Sequence, residues 1–418
     1  MNRLDSDRRR FLGTLGGGLF GALAASWLDP RAALAEGTAP KATAGIVLWM
    51  NGGPSHVDTF DPKPGSAAAG PFKAIRTRAK GVSICEHLPR VADQAHHLAV
   101  LRGMSSREGN HDRARYLLHT GYAPNPTVTH PALGGWMSEE LGASGDLPTF
   151  ISLGGPSATA GFLGAQHGPF IVQSAVEAPQ NVARAPGVGP ARFEKRRAAL
   201  DKIEAHFAAE VTDTKVDGRR AVYARAIKMM RAPGLGAFDL SSEPKAVLDS
   251  YGDSDFGRRC LTARRLVESG VRLVEVTLDG WDTHTDNFGR TTKLMSALDP
   301  GMSGLISDLD KRHLLDKTLV IWMGDFGRTP RINANDGRDH HPGAWTAVLA
   351  GGGVRGGAAH GQTDATGDTV AAGKIIVPDL FATVAKQLGL DPDKSFDTPS
   401  GRPIAISDGG RALREITG

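Results

Sequence analysis

The sequence predicts an α/β fold of three layers, with a mostly parallel central sheet between two layers of helices. Three observations carry that expectation. Short continuous apolar runs recur along the chain, of the kind buried on both faces of a parallel sheet: Gly45 to Met50, Leu98 to Arg102, Val271 to Leu278 and Leu319 to Met323. Stretches with helical periodicity separate them. Each run also stops abruptly in a loop carrying Asp, His or a polar cluster, and such loops at the carboxyl ends of strands are where open α/β sheets bind ligands.

The first run, Gly45 to Met50, breaks at Asn51-Gly52-Gly53-Pro54, where the glycines let backbone approach a ligand closely. His56 and Asp58 follow in that loop. A helix over 86–97 leads to the second strand, then to the loop from Gly103 to His111, which holds Ser105, Ser106, Asn110 and His111. The helix after it, from Asp112 to His119, presents a dipole end that favours anions. A helix over 132–142 and a strand from Pro148 to Leu153 come next. The stretch 154–190 is rich in Gly, Pro and Ala and reads as irregular loop. Three charged helices follow, over 191–210, 218–231 and 256–269; the spacing of Leu200, Ile203 and Phe207 predicts that each covers a sheet or a neighbour.

The strand from Val271 to Leu278 ends at Asp279-Gly280-Trp281-Asp282-Thr283-His284, which sets a carboxylate and an imidazole close together. A long helix over 292–312 carries the chain to the strand from Leu319 to Met323. That strand delivers Gly324-Asp325-Phe326-Gly327-Arg328, and fourteen residues after Asp325 come Asp339-His340-His341-Pro342. Hard oxygen and borderline nitrogen ligands on rigid strand ends suit a divalent metal. Helix caps and solvated turns use the same residue types. A strand from Trp345 to Ala350, a Gly-rich turn, a loop with His360 and Thr363, and a helix over 379–388 close the chain.

Composition narrows the function classes. The 418 residues are 40% hydrophobic and 22% charged, ordinary for a globular protein. The net charge of +4 becomes +2 without residues 1–35, which hold five Arg and three Asp, and no basic tract remains to bind nucleic acid. Two distant cysteines, Cys85 and Cys260, make neither a disulfide scaffold nor a cysteine-ligated zinc module.

Residues 1–35 read as a twin-arginine signal peptide, with Arg8-Arg9-Arg10-Phe11-Leu12, a weakly apolar Gly-rich stretch and a cleavage site at Ala33-Leu34-Ala35. The expected partner is the twin-arginine export machinery, the expected location periplasmic or secreted, and no stable membrane span remains after cleavage. A linker over 36–44 then precedes one domain over 45–418, with a loop-rich and helical insertion around 154–255.

The motifs GGPSHVDTFDPKP, EGNHDRARYLLHTGYAP, GWDTHTDN, GDFGRTP, GRDHHPGAW and VPDLFATVAKQLG resemble the secreted bacterial family known as domain of unknown function 1501. The arrangement as a whole resembles the alkaline phosphatase and sulfatase superfamily. That resemblance implies metal ligation by Asp58, Asp282, His284, Asp325 and His341, with His340 and His56 as helpers. It implies one or two divalent ions drawn from zinc, calcium, magnesium or manganese. Two departures stand out: Phe326 occupies the place of a metal-binding His, and no Cys or Ser stands in the sulfatase nucleophile pattern. Ser106 and His111 lie in the nucleophile region, and Arg328 is the expected anion holder. The expected activity is hydrolysis of a phosphate, sulfate or related ester, on a small anionic molecule or a sulfated or phosphorylated polysaccharide. The alternative is a non-catalytic exported binding protein on a degenerate scaffold of the same kind.

Overall fold

The computed structural model describes residues 41–417, except 156, 174–178, 180–181 and 211–213, and except the side chains of 208–210 and 214–217. The expected signal peptide and the linker up to Pro40 lie outside the described residues. Residues 41–418 form one compact unit.

The apolar runs pair into a nine-stranded sheet. In chain order its strands are β1 (Ala44–Asn51), β2 (Leu98–Ser105), β3 (Phe150–Leu153), β4 (Phe170–Val172), β5 (Leu273–Asp279), β6 (Thr318–Gly324), β7 (Trp345–Ala350), β8 (Ala358–His360) and β9 (Ile375–Ile376). Their spatial order is β8-β2-β7-β6-β1-β5-β3-β4, with β9 also paired to β2. β1 lies parallel between β5 and β6, with Val47 opposite both Glu275 and Ile321. β7 runs antiparallel to both its neighbours, and the remaining pairs are parallel. The carboxyl ends of β2, β6, β1 and β5 therefore open on one edge, as the sequence predicts.

Alternate side chains of each central strand enter opposite cores. Ile46, Leu48, Val274, Val276, Val320 and Trp322 meet helices α6 (Asp255–Glu268) and α7 (Asn287–Lys311) on one face. On the other, Val47, Trp49, Leu101, Leu273, Ile321 and Met323 meet α1 (His111–Thr120), α2 (Leu133–Leu141) and α8 (Val377–Gln387). Cys85 and Cys260 are free and buried in the first of these cores.

Four local expectations change. The helix expected over 86–97 shrinks to Pro89–Asp93 plus a 3-10 turn at Ala95–His97, because Pro89 restricts Leu88 and can only begin a helix. α7 starts at Asn287 rather than 292, since Asp286, at φ 45°, caps it by accepting from the Gly289 N–H at 3.2 Å. The stretch read as loop contains β4, and α5 (Lys245–Tyr251) follows the helical hairpin of α3 (Pro190–Glu210) and α4 (Thr214–Met229). On α3, Ile203 and Phe207 are 67% and 52% exposed, so that end of the face is largely uncovered by the described residues. Periodicity marks an apolar face, but burial needs a partner across it.

Candidate metal and ester site

Glycine in the turn after β1 lets three strand ends come together. Gly52 and Gly53 have φ of +109° and +79°, and a Cβ on Gly52 would lie 2.4 Å from the Asp282 backbone nitrogen. A Cβ on Gly53 would meet the Phe326 carbonyl at 2.6 Å. The Gly-Gly turn after β1 thus lets the loops after β5 and β6 close over it. The Gly52 N–H donates to Asp325 Oδ2 at 3.1 Å, and the Trp281 N–H donates to Asn51 O at 3.1 Å. Beyond β6, Gly327–Arg328 pairs antiparallel with His340–His341.

Into this edge project three imidazoles and one carboxylate oxygen. His111, the first residue of α1, places Nε2 3.4 Å from Asp282 Oδ1. His284 Nε2 is 3.2 Å and His340 Nε2 3.4 Å from that same oxygen, and the two imidazole nitrogens are 3.0 Å apart. The opposite ring nitrogen of each histidine meets an acceptor: His111 Nδ1 meets Asp325 Oδ2 at 2.6 Å, His284 Nδ1 meets Asp339 Oδ1 at 2.8 Å, and His340 Nδ1 meets Gly109 O at 2.7 Å. Carboxylate and carbonyl oxygens only accept, so each Nδ1 carries a proton, and in the neutral imidazole each Nε2 then presents a lone pair. The three Nε2 atoms converge on one carboxylate oxygen.

Charge is concentrated at the same place. Burial alone would raise the Asp282 carboxyl, but the hydrogen bond and charge of Arg328 hold it down at about 2, so Asp282 is anionic. The hydrogen bond from His111 to Asp325 raises the His111 imidazole above its ordinary range. Burial lowers His340. His111 Nε2 and Asp325 Oδ1 are buried atoms without a hydrogen-bond partner among the described residues. Ligand atoms of His111, Asp282 and His340 all lie within 4.8 Å of one another, an arrangement that could hold a metal ion. Oriented imidazoles whose far nitrogens are fixed by acceptors are the usual surroundings of a bound metal. The residues fit a divalent cation.

The other expected site residues fall elsewhere. Asp58 is fully buried, and it accepts from Arg338 Nε at 2.6 Å, Arg338 Nη2 at 2.9 Å and Asn287 Nδ2 at 2.8 Å, so it ties loops together beneath the edge and does not join the cluster. His341 follows His340 on a strand, where neighbouring side chains face opposite ways, and its Nε2 meets Asp368 O at 2.7 Å. It stands beside His56, ring centroids 6.5 Å apart, and the His56 Nε2 meets Gly367 O at 2.7 Å. Asp325 is fully buried behind His111 and orients it. Arg328, expected to hold an anion, is fully buried and donates to Gly52 O, Gly53 O, Arg338 O and Asp282 Oδ1. It positions Asp282. Ser106 donates its N–H to Pro342 O at 2.9 Å, and its Oγ is buried without a partner among the described residues. Phe326, in place of a histidine, packs its ring 4.9 Å from His111 and 4.7 Å from His340. The sequence marks Asp339 as part of the His340 loop but not as the partner that orients His284, and no side-chain pattern reveals the Gly109 carbonyl.

No curated protein matches the chain. Among solved structures it is similar to Ps i-CgsB in complex with k-i-k-neocarrahexaose, at 11% identity and a TM-score of 0.40, covering 85% of this chain and 73% of that one. The PsFucS1 sulfatase from Pseudoalteromonas sp. is similar at 12% identity and a TM-score of 0.38, covering 86% and 70%. A protein in the alkaline phosphatase superfamily from Vibrio parahaemolyticus is similar at 11% identity and a TM-score of 0.37, covering 84% and 68%. The family described as "Protein of unknown function (DUF1501)" matches residues 42–417, and the chain belongs to it.

Proposed function

We propose that this protein is an exported, metal-dependent hydrolase of phosphate, sulfate or related esters. The observation that carries the reading is the convergence of His111 Nε2, His284 Nε2 and His340 Nε2 on Asp282 Oδ1, with every Nδ1 already bound to an acceptor. Neutral imidazoles so placed turn their lone pairs on an ionised carboxylate, an arrangement that a cation among them would relieve. His111, Asp282 and His340 would hold it, with His284 at their side.

A divalent cation held there would supply positive charge to polarise an ester oxygen and stabilise charge developing on it. The chain does the rest. Asp325, Asp339 and the Gly109 carbonyl hold the three imidazoles in one tautomer. Arg328 keeps Asp282 ionised and fixed. Phe326 packs its ring against His111 and His340. The substrate class is a small anionic ester or a sulfated or phosphorylated polysaccharide, which suits a protein sent out of the cytoplasm by the twin-arginine route. Arg8-Arg9-Arg10-Phe11-Leu12 motivates the export step, and no described helix is long and apolar enough to cross a membrane.

The test is elemental analysis of gently purified protein, then a screen of phosphate monoesters, diesters and sulfate esters with the bound metal retained. Metal with turnover on one of these classes is expected. Metal without turnover on any would favour a binding protein, and protein that neither retains nor takes up a divalent ion would end the reading.

A further inference from the structure

Helix α1 carries His111, Arg115 and His119 one turn apart on a single face. Each reaches a different strand. His111 meets Asp325 at the end of β6, Arg115 Nη2 donates to Asn51 Oδ1 at 2.9 Å at the end of β1, and His119 Nε2 meets Glu275 Oε2 at 3.0 Å in β5. These strands are adjacent in the sheet, so the helix lies across the edge that holds the metal cluster.

The outer two side chains end on carboxylates, and the middle one does not. The Arg115 Nε–H is buried without a hydrogen-bond partner among the described residues. Among those residues no carboxylate lies within ion-pair distance of it either. Its neighbours differ: Arg113 pairs with Glu108, Arg328 with Asp282 and Arg338 with Asp58. A half-buried guanidinium that spends only Nη2, and that on a neutral amide oxygen, keeps its charge available to an oxyanion, and its planar fork suits two oxygens of one tetrahedral group. Arg115 is also built into the cluster. The Asn51 it grips is followed by Gly52, whose N–H holds Asp325, and the Asn51 carbonyl accepts from Trp281, next to Asp282.

We infer that Arg115 is the residue that binds the non-bridging oxygens of the anionic ester, in the place expected of Arg328. The inference rests on the hydrolase reading above, and it assigns substrate selectivity for a charged phosphate or sulfate group to α1. Arg115 would touch substrate directly, one helical turn from His111.

Titration calorimetry with inorganic phosphate and with sulfate tests it, using metal-replete wild type, Arg115→Ala, Arg115→Lys and, as a control, Arg113→Ala. Wild type and Arg113→Ala should bind an anion alike. Arg115→Ala should bind it about tenfold to hundredfold more weakly, the loss expected of one charge-assisted contact. Arg115→Lys should recover only part, because an ammonium lacks the fork. Metal content of each variant, by elemental analysis, reports whether the cluster is intact. If Arg115→Ala loses metal or fails to fold, the Lys variant decides: metal retained with weakened anion binding supports the assignment. Unchanged anion affinity in a metal-loaded Arg115 variant overturns it while leaving the hydrolase reading in place. Wild type that hydrolyses esters yet binds neither anion also overturns it, and wild type that does neither removes both.

Discussion

His111 Nδ1 lies 2.6 Å from Asp325 Oδ2, so the loop after β2 delivers the imidazole and the end of β6 fixes which way it faces. The carboxylate is fully buried and also receives the Gly52 N–H. Asp325→Asn keeps the shape and removes the charge. Metal affinity should fall by about tenfold to hundredfold, the usual effect of losing such a partner, and ester turnover should vanish while the fold remains. Competition with a chelating dye, alongside circular dichroism, measures both. Unchanged affinity would show that Asp325 does not orient a ligand.

Removing the cation should leave the converging imidazoles and Asp282 uncompensated. Chelated protein is therefore expected to melt at a lower temperature, and added divalent metal should restore the midpoint in a concentration-dependent way. Thermal scans across a metal series would also rank zinc, calcium, magnesium and manganese. A midpoint indifferent to every ion contradicts the site.

Asp58 and Arg338 form a pair in which neither side chain is exposed. Breaking a buried pair from one side costs about 3–5 kcal/mol, because the remaining charge has no solvent. Asp58→Asn and Arg338→Met should each lower the unfolding free energy on that scale. The folded fraction should still bind metal, which distinguishes a structural carboxylate from a ligand. Denaturant titration and metal analysis of the same samples provide the check.

The cluster was legible where chemistry is local. Asp282-x-His284 and the loop of His340 stand at strand ends, and strand ends can be read from apolar runs that stop. Asp58 looked equivalent by the same rule, yet its partner Arg338 comes from a loop 280 residues away, and only the fold shows that the pair satisfies itself. His341 was a register error: on a two-residue strand the side chains of His340 and His341 must part, and only His340 faces Asp282. Arg328 is expected from the sequence to hold an anion because sequence does not show the carbonyls of Gly52 and Gly53 that it caps. Backbone acceptors leave no residue signature, and that accounts for most of what was missed.

Gly52→Ala tests the close approach. Its φ of +109° is one that L residues rarely adopt, and the added Cβ would sit 2.4 Å from the Asp282 nitrogen. Either the turn or the Asp282 loop has to move. Metal affinity should fall, and stability should drop by about 1–3 kcal/mol from strain alone. Retained affinity with native stability would mean that the loops close without this contact. Chemical denaturation with and without metal separates the two effects.

His119 extends the reach of α1 into the sheet, and it sets a pH dependence. Both its ring nitrogens meet acceptors, Nδ1 at Arg115 O at 2.8 Å and Nε2 at Glu275 Oε2 at 3.0 Å, so two N–H groups are needed and the imidazolium fits. Burial opposes that charge, but the Glu275 carboxylate outweighs it and raises the His119 pKa above its ordinary value. A raised folded pKa means that the native state holds a proton the unfolded chain gives up first. The stabilisation is then fully present below the unfolded value of about 6.5 and is lost as pH rises through the folded pKa. Wild type should thus exceed His119→Gln in melting temperature by most in mildly acid solution, with the gap narrowing toward alkaline pH. Taking the difference cancels titrations the two proteins share. A gap that widens as pH rises would show that His119 is neutral in the fold, and that Glu275 is held instead by the Ser157 hydroxyl, 2.8 Å from the same oxygen.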